Sequence, residues 1–195
     1  MELALSICLG IGLSAACGFR VFVPLLAMSV AALAGHLGLA AGFEWIGTWP
    51  AFACFLTASV LEVAAYYIPW LDNLLDSIAT PAAIVAGTIV TAAVMTDMSP
   101  LMKWSLALIA GGGAAGVIQT ASVALRGTSS LTTGGLANWA VASGELAASV
   151  GTAIFSMVLP LLTAVAVGLL VAALLAHYWR RPGSPTQTTG SLSHP

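Results

Sequence analysis

The stretch ALRGTSSLTTGGLANWAVASGE, residues 124–145, lies between two of the most apolar parts of the chain. It contains an arginine, a glutamate and a run of small polar residues where the flanking pattern would place another hydrophobic helix. Its fold depends on whether these residues lie in water or within a membrane. The composition of the whole chain therefore has to be considered first.

The composition is that of an integral membrane protein. The mean hydropathy is +1.02, and only 6% of the 195 residues are charged, whereas soluble domains carry about 25% charged residues. This predicts an all-α bundle in one transmembrane domain over residues 1–179, followed by a disordered polar tail over residues 180–195. Membrane lipids are its expected surroundings. The net charge of −2 and the scattered basic residues argue against nucleic acid as a partner.

Apolar segments of helical length recur along the chain. After the third segment, leucines at helical spacing with aspartates on the opposite face predict a short amphipathic surface helix over residues 69–81, bracketed by Pro69 and Pro81. Pro160 is predicted to kink the last segment. The six predicted apolar segments cover residues 3–18, 21–41, 50–68, 82–96, 104–125 and 149–178.

Two regions are predicted to be broken or re-entrant helices. Backbone exposed to hydrocarbon must be hydrogen-bonded internally, so irregular backbone at membrane depth survives only against protein or water. Residues 127–135 form a poor helix, whereas the residues after them form an acceptable short one. We therefore expect residues 21–41 and 128–147 to be interrupted helices packed inside a bundle of about five spanning helices.

The two halves of the chain resemble each other. In each half a long segment ends in an arginine, Arg20 or Arg126, and a shorter or interrupted helix follows. Glu62 and Glu145 also occur in similar surroundings, ASVLEVAA and ASGELAAS. Interrupted helices at matching positions are typical of transporters built from inverted repeats. The sequence thus favours an inverted repeat.

Charge placement leaves two topologies open. Arg180 and Arg181 follow the last segment and favour a cytoplasmic C-terminus. With five spans only Arg126 lies outside, whereas with seven spans only Lys103 does. We prefer five spans because they make the halves inverted and keep residues 128–145 away from lipid.

Four ionisable residues are predicted to lie at membrane depth and to meet there. Arg20, Glu62, Arg126 and Glu145 have apolar or small neighbours, and a charged side chain at the bilayer centre costs about 2.5–3.5 kcal/mol on insertion scales. Such residues either contact a solute, an ion or a proton, or hold helices in register as buried ion pairs. Both roles remain open at this stage.

Other polar residues give weaker signals. Asn138 and the neighbouring hydroxyls either satisfy irregular backbone or form an anion cradle beside Arg126, so Asn138 joins the predicted pathway. Asp72 and Asp76 lie on one helix face, and a solvated surface is favoured over a secondary cation site because two carboxylates are too few. The cysteines and histidines show no metal-binding spacing and no catalytic motif appears, so we expect no metal, no cofactor and no enzymatic activity.

Three stretches resemble a known family. They are GFRVFVPLL at residues 18–26, LEVAAYYIPWLDNLLD at residues 61–76, and LRGTSSLTTGGLANWAVASGE at residues 125–145. Together they are similar to the small membrane proteins of the domain of unknown function 4126 family, over nearly the whole chain up to Tyr178. The resemblance implies a multi-spanning membrane fold and no particular activity. Trp139 stands where it implies a proline after the asparagine.

The residues lead to two hypotheses on function. The first is a small transporter or channel-like carrier, with Arg20, Glu62, Arg126 and Glu145 handling a small solute or ion between two broken-helix halves. The second is a non-transporting scaffold or assembly partner that uses the glycines of residues 111–116 as a docking face or homodimer seam. A polar cavity lined by both arginines would favour transport, and a dry ion-pair layer would favour the scaffold. The expected location is a bacterial inner membrane.

Overall fold

The fold is all-α, as the composition predicts. The structure is a computed structural model that describes residues 2–65, 69–96, 98–134 and 137–180, with only the backbone described for residues 69–77. A 3₁₀ turn at Glu44–Gly47 precedes α3, and a π-helical turn at Ala107–Gly112 joins α5 to α6. The helices are α1 Glu2–Phe19, α2 Phe22–Leu33, α3 Trp49–Ala65, α4 Pro69–Val94, α5 Pro100–Leu106, α6 Gly113–Thr133, α7 Asn138–Val158 and α8 Pro160–Trp179.

Helix length separates two groups within the described residues. Four helical stretches are long and apolar enough to cross a membrane: α1, the continuous stretch Pro100–Thr133, α7 and α8. Three apolar helices are shorter, namely α2, α3 and the Ile78–Val94 part of α4. With 12 residues, α2 is about 18 Å long and does not reach across a ~30 Å hydrocarbon core by itself. Residues 21–41 therefore contain a short helix that ends at Leu33, followed by a non-helical connection.

Helix α1 lies at the centre of the bundle, against α4, α6, α7 and α8. A Cβ atom built on Gly18 would lie 2.7 Å from the Ala115 carbonyl oxygen of α6, so the two backbones are in close contact. Hydroxyl groups link the helices as well: Ser149 of α7 donates to the Ala16 carbonyl at 3.0 Å, and Thr91 of α4 donates to that of Gly10 at 3.0 Å. Small residues and interhelical hydrogen bonds hold helices together in lipid, where the hydrophobic effect does not.

The glycine-rich segment packs inside the molecule. The sequence predicts that Gly112 and Gly116 let another helix approach closely, and α4 of the same chain is that helix, with Ile84 beside both glycines. Gly111 likewise faces Gly87 and Thr91 of α4, whereas Gly113 has no neighbouring atom within 4 Å of a built Cβ. Helix α4 therefore already covers most of the glycine face that the scaffold hypothesis assigns to a partner.

The stretch predicted to be an irregular, inward-packed segment is helical and exposed, which corrects the prediction. Residues 127–133 continue α6, and residues 131–134 at its end are exposed. Threonine hydroxyls there donate to carbonyls one turn back, as Thr128 does to Ala124 at 2.9 Å. These side-chain hydrogen bonds form on the helical backbone and do not replace it with another conformation. The helix ends at Gly134, whose φ of +64° is a conformation that glycine adopts without strain.

Two prolines act differently from the prediction. Pro81 does not end a surface helix, because α4 runs through it from Pro69 to Val94; one missing N–H group is tolerated inside an apolar helix. Pro160 does more than kink the last segment: it begins α8, and Leu159 before it leaves the helical region with φ −134° and ψ 62°. A residue that precedes proline is sterically pushed out of the α conformation, so α7 ends at Val158.

The long helices alternate in direction. Gly12 of α1 lies against both Ser156 of α7 and Thr163 of α8, while Arg20 at the other end of α1 contacts Ala142 of α7. Consequently α7 runs antiparallel to α1 and α8 runs parallel to it. Residues 128–147 thus belong to a hairpin of two long helices instead of one re-entrant segment, and the path resembles the seven-segment alternative more than the preferred five-span arrangement.

Candidate functional site

The structure brings the four predicted ionisable residues together at one level of the bundle. They lie where the α1–α2 junction and the end of α3 meet the α6–α7 hairpin. All four are buried, with exposed fractions of 1% for Arg20, 7% for Glu62, 2% for Arg126 and 6% for Glu145. Charged groups are kept in such surroundings only when they are paired and hydrogen-bonded.

Glu145 is bound tightly from α6. The Nε atom of Arg126 donates to its Oε1 at 3.0 Å, the Nη2 atom of Arg126 donates to its Oε2, and the hydroxyl of Ser122 donates to its Oε1. Ser122 and Arg126 are four residues apart and therefore lie on one face of α6. The result is a bidentate guanidinium–carboxylate pair, which is stronger and more directional than a single neutral hydrogen bond.

Arg20 reaches the same carboxylate from α1. Its Nη2 atom donates to the Ala142 carbonyl at 2.7 Å and lies 3.6 Å from Oε2 of Glu145. Ser149, one turn after Glu145, anchors α7 to α1 through the Ala16 carbonyl. Glu145 is therefore shared by two arginines that belong to different halves of the sequence.

Glu62 is bound differently, by the backbone at the start of α2. Its Oε1 accepts the N–H of Val21 at 2.8 Å, and its Oε2 accepts that of Phe22 at 3.1 Å. The first N–H groups of a helix have no partner within it, and Pro24 removes one more donor at no cost. Electrostatic attraction from Arg20 and Arg126 also acts on this carboxylate.

Glu145 pairs with both arginines of the cluster. Its Oε2 atom lies 3.6 Å from Nη2 of Arg20 and is bound by Nη2 of Arg126. Glu62, by contrast, is bound by the uncharged backbone N–H groups of Val21 and Phe22.

A cavity of about 310 Å³ lies beside the cluster, between α1, α6, α7 and α8. Its walls are apolar apart from two threonines, and none of the four ionisable residues lines it. The cavity therefore does not open onto the charged side chains. The lining residues are Ala15, Phe19, Ile118, Ala148, Thr152, Phe155, Leu162, Thr163, Ala166, Val167 and Leu170.

The remaining predicted site residues lie elsewhere. Asn138 is half-buried at the start of α7, where its Nδ2 donates to the Ser130 hydroxyl at 2.9 Å. It is seven residues, or about 10 Å, along the helix from Glu145, so it is not part of the cluster. Asp72 and Asp76 belong to the first turns of α4, where the side chains lie outside the described residues. The described part of the chain contains no group of three metal-ligating side chains.

Several contributors to the site were missed from the sequence. They are the hydroxyl of Ser122, the carbonyl of Ala142 and the two N–H groups that hold Glu62. The spacing of Ser122, one turn before Arg126, is a signal that was available. The backbone groups carry no sequence signal, because any residue type supplies them.

Comparisons with known proteins give a family and no activity. A family model described as "Domain of unknown function (DUF4126)" matches residues 7–180. No curated protein matches the chain, and no solved structure does.

Proposed function

This chain belongs to the DUF4126 family, whose description assigns no activity, and from its site we propose that it is a small membrane carrier. The observation that supports a carrier is the convergence of Arg20, Glu62, Arg126 and Glu145 in one buried layer. Ionisable residues inside a membrane bundle are expensive to keep and commonly mark the path of a solute, an ion or a proton.

The depth of this layer supports the same function. Val167 of α8 packs with Ala15 and Ile118 in one apolar cluster, and Arg20 and Ser122 follow those two residues by about one helical turn. Val167 lies within the apolar helix Pro160–Trp179, far from both of its ends. The charged layer is therefore near the middle of a membrane that α8 would cross, which is where carriers bind their substrates.

The described conformation would be the closed state of the carrier. For a solute to enter, the α1–α2 junction and α3 would have to separate from the α6–α7 hairpin, since contacts of Arg20 and Glu62 bridge these parts. An internal repeat is retained here as a proposal, with one arginine and one glutamate in each half. Because α6 runs parallel to α1, the two halves would share one orientation instead of being inverted. Glu62 and Glu145 would carry protons or coordinate a cation as the halves move.

Proton flux in proteoliposomes tests the carrier. Vesicles containing the protein and a trapped pH dye are given a pH gradient with a potassium diffusion potential. We expect flux above that of empty vesicles, with a loss of at least tenfold in Glu62→Gln and Glu145→Gln. Glu44→Gln is the matched control, because Glu44 is an exposed carboxylate that bonds only the nearby Gly42 N–H. Undiminished flux in both cluster variants, with normal folding yield in detergent, would refute the coupling role.

The second candidate is a non-transporting membrane scaffold. The observation that favours it is the buried pairing of Glu145 with Arg20 and Arg126, which can serve purely to hold helices in register. Its partner would have to dock on a face other than the glycines that α4 covers, with Gly113 as the outward member of that segment. A scaffold predicts no flux in wild-type vesicles and co-purification of a defined partner that is lost when Gly113 is replaced by leucine.

We also propose a bacterial inner-membrane location with a cytoplasmic C-terminus. Arg180 follows the end of α8, which runs parallel to α1, and Lys103 lies in α5 before α6, towards the opposite end of the bundle. An excess of arginine and lysine marks the cytoplasmic side of membrane proteins.

A further inference from the structure

We infer that the cavity between α1, α6, α7 and α8 holds one acyl chain of a phospholipid from the surrounding bilayer. This inference goes beyond the proposed carrier and does not depend on it, because it needs only that α8 lies across the membrane. The chemistry, the shape and the depth of the cavity each favour a hydrocarbon chain over a polar ligand or another helix.

The wall of the cavity suits a hydrocarbon. Its two polar side chains are those of Thr152 and Thr163, and the Thr163 hydroxyl donates to the Leu159 carbonyl of its own helix at 3.0 Å. No buried polar side-chain atom of the wall lacks a hydrogen-bond partner within the described residues. Apolar cavities stay dry and bind apolar molecules, and a cavity of ~150 Å³ takes up benzene. This cavity is about twice as large, at about 310 Å³, so we expect it to hold a larger apolar group.

The cavity is elongated along the helix axes. On α8 its wall extends from Leu162 to Leu170, which are about 12 Å apart along the helix. On α7, which is antiparallel to α8, the wall extends from Phe155 back to Ala148. A helix of a second copy, ~10–12 Å across with its side chains, would need roughly 900 Å³ over this length, about three times the cavity volume. A single extended hydrocarbon chain is thinner and runs in the same direction.

The depth of the cavity matches one leaflet of the bilayer. Helix α8 begins at Pro160 and has 20 residues, so its length of about 30 Å equals the thickness of the hydrocarbon core. The wall from Leu162 to Leu170 therefore covers the half of the bilayer next to the α7–α8 turn. A phospholipid in this leaflet has its headgroup near the turn and its chain ends at the bilayer midplane. The bound chain thus ends near Ala148, about one turn from Glu145, and its headgroup stays away from the charged layer.

The cavity has an exposed rim and a buried floor. Phe155 and Leu162 at the rim are exposed, whereas Thr163 and Val167 on the inner side of α8 are buried. In a membrane the exposed surface of α7 and α8 is covered by lipid, so a chain can enter sideways past the rim. If the space stayed empty, the side chains of the floor would lose van der Waals contacts on that side, and the chain restores them.

Photolabelling in vesicles tests the site. The protein is reconstituted in phosphatidylcholine vesicles that contain a small share of phosphatidylcholine with a diazirine near the end of one acyl chain. After irradiation the labelled residues are identified by mass spectrometry. We expect label on Phe19, Thr163 and Val167, which line the cavity, as well as on outward residues of α8 such as Val165 and Leu169. Label confined to the outward residues would overturn the inference.

Two adjacent alanines on α7 provide matched variants for this measurement. Ala148 is half-buried and lines the cavity, whereas Ala147 is exposed and is not part of the wall. Ala148→Phe places a ring in the cavity, so we expect at least fivefold less label on Phe19 and Val167. Ala147→Phe should keep the wild-type pattern. Equal labelling of the cavity residues in the two folded variants would contradict the site, and the wild-type pattern decides alone if Ala148→Phe does not fold.

Native mass spectrometry of the detergent-purified protein identifies the occupant. We expect a wild-type monomer that retains one phospholipid through repeated detergent washing, with at least fivefold lower occupancy in Ala148→Phe than in Ala147→Phe. A bare monomer, a retained free fatty acid or a lipid-free dimer would each overturn the inference.

Discussion

Glu145 is the residue on which the charged layer depends most. It accepts hydrogen bonds from Ser122 and Arg126 and lies 3.6 Å from Arg20. Glu62, by contrast, interacts directly with neutral N–H groups. Two glutamates in similar sequence surroundings therefore have different partners: Glu145 binds the arginines, and Glu62 binds the start of α2.

Replacing Glu145 should accordingly destabilise the protein more than replacing Glu62. In Glu145→Gln two buried guanidinium groups lose the carboxylate that pairs with both of them, and breaking a buried pair in this way costs about 3–5 kcal/mol. We expect a large drop in Tm for this variant in detergent and a smaller one for Glu62→Gln, which keeps one oxygen acceptor.

Arg180→Met is the control for that comparison, because Arg180 is an exposed cation at the end of α8. Its Tm should stay at the wild-type value. A Tm of Glu145→Gln equal to that of Arg180→Met would mean that the buried pair contributes nothing to stability.

At the scale of elements, the contact between α4 and the π-helical turn before α6 defines the bundle. Gly87, Gly111 and Gly112 allow the two backbones to meet, and the Ser14 hydroxyl donates to the Gly111 carbonyl from α1. π-helical turns leave carbonyl groups less regularly bonded than an α-helix does. Three helices thus share one point of close approach.

Leucine substitutions at two successive glycines should separate the effect of packing on stability from the effect of helix propensity. A Cβ on Gly112 would lie 2.7 Å from the Thr88 hydroxyl oxygen, whereas nothing lies within 4 Å of a Cβ on Gly113. Gly112→Leu should therefore cost about 1–3 kcal/mol through overpacking. Gly113→Leu should be neutral or slightly stabilising, because leucine favours helix more than glycine does. Thermal unfolding in detergent measures both, and equal effects would disprove the α4 contact.

For the whole molecule, the alternation of helix direction places the hairpin turn and the end of α8 towards the same end of the bundle. The start of α5 lies towards the opposite end. The preferred five-span arrangement instead separates the hairpin turn from the end of α8.

Maleimide labelling of single-cysteine variants distinguishes the alternating arrangement from the five-span arrangement. We expect Leu131→Cys and Tyr178→Cys to react with an impermeant maleimide from one side of sealed vesicles, and Ser99→Cys from the other, since all three positions are exposed. Reaction of positions 99 and 178 from the same side would support five spans. The background carries alanine at each native cysteine: Cys8, Cys17 and Cys54.

The sequence by itself determined that lipid surrounds the protein, that the fold is all-α, and which charged residues are buried. An apolar composition fixes burial in lipid, and helical periodicity is a local property, so the all-α membrane bundle and the bounds of α1 followed from the pattern. The sequence predicts a non-helical stretch after Arg126 because threonine and glycine are weak helix formers. The structure is helical as far as Thr133, since the threonine hydroxyls donate to carbonyls one turn back and do not interrupt the helix.

Only the tertiary structure decided which groups meet. Val21 and Glu62 are 41 positions apart, and Arg20 and Ala142 are 122 apart. No local rule couples residues at such separations. Glu145 binds the arginines and Glu62 binds the start of α2 because of the relative positions of α1, α2, α3, α6 and α7. Packing among small residues over the whole bundle sets those positions.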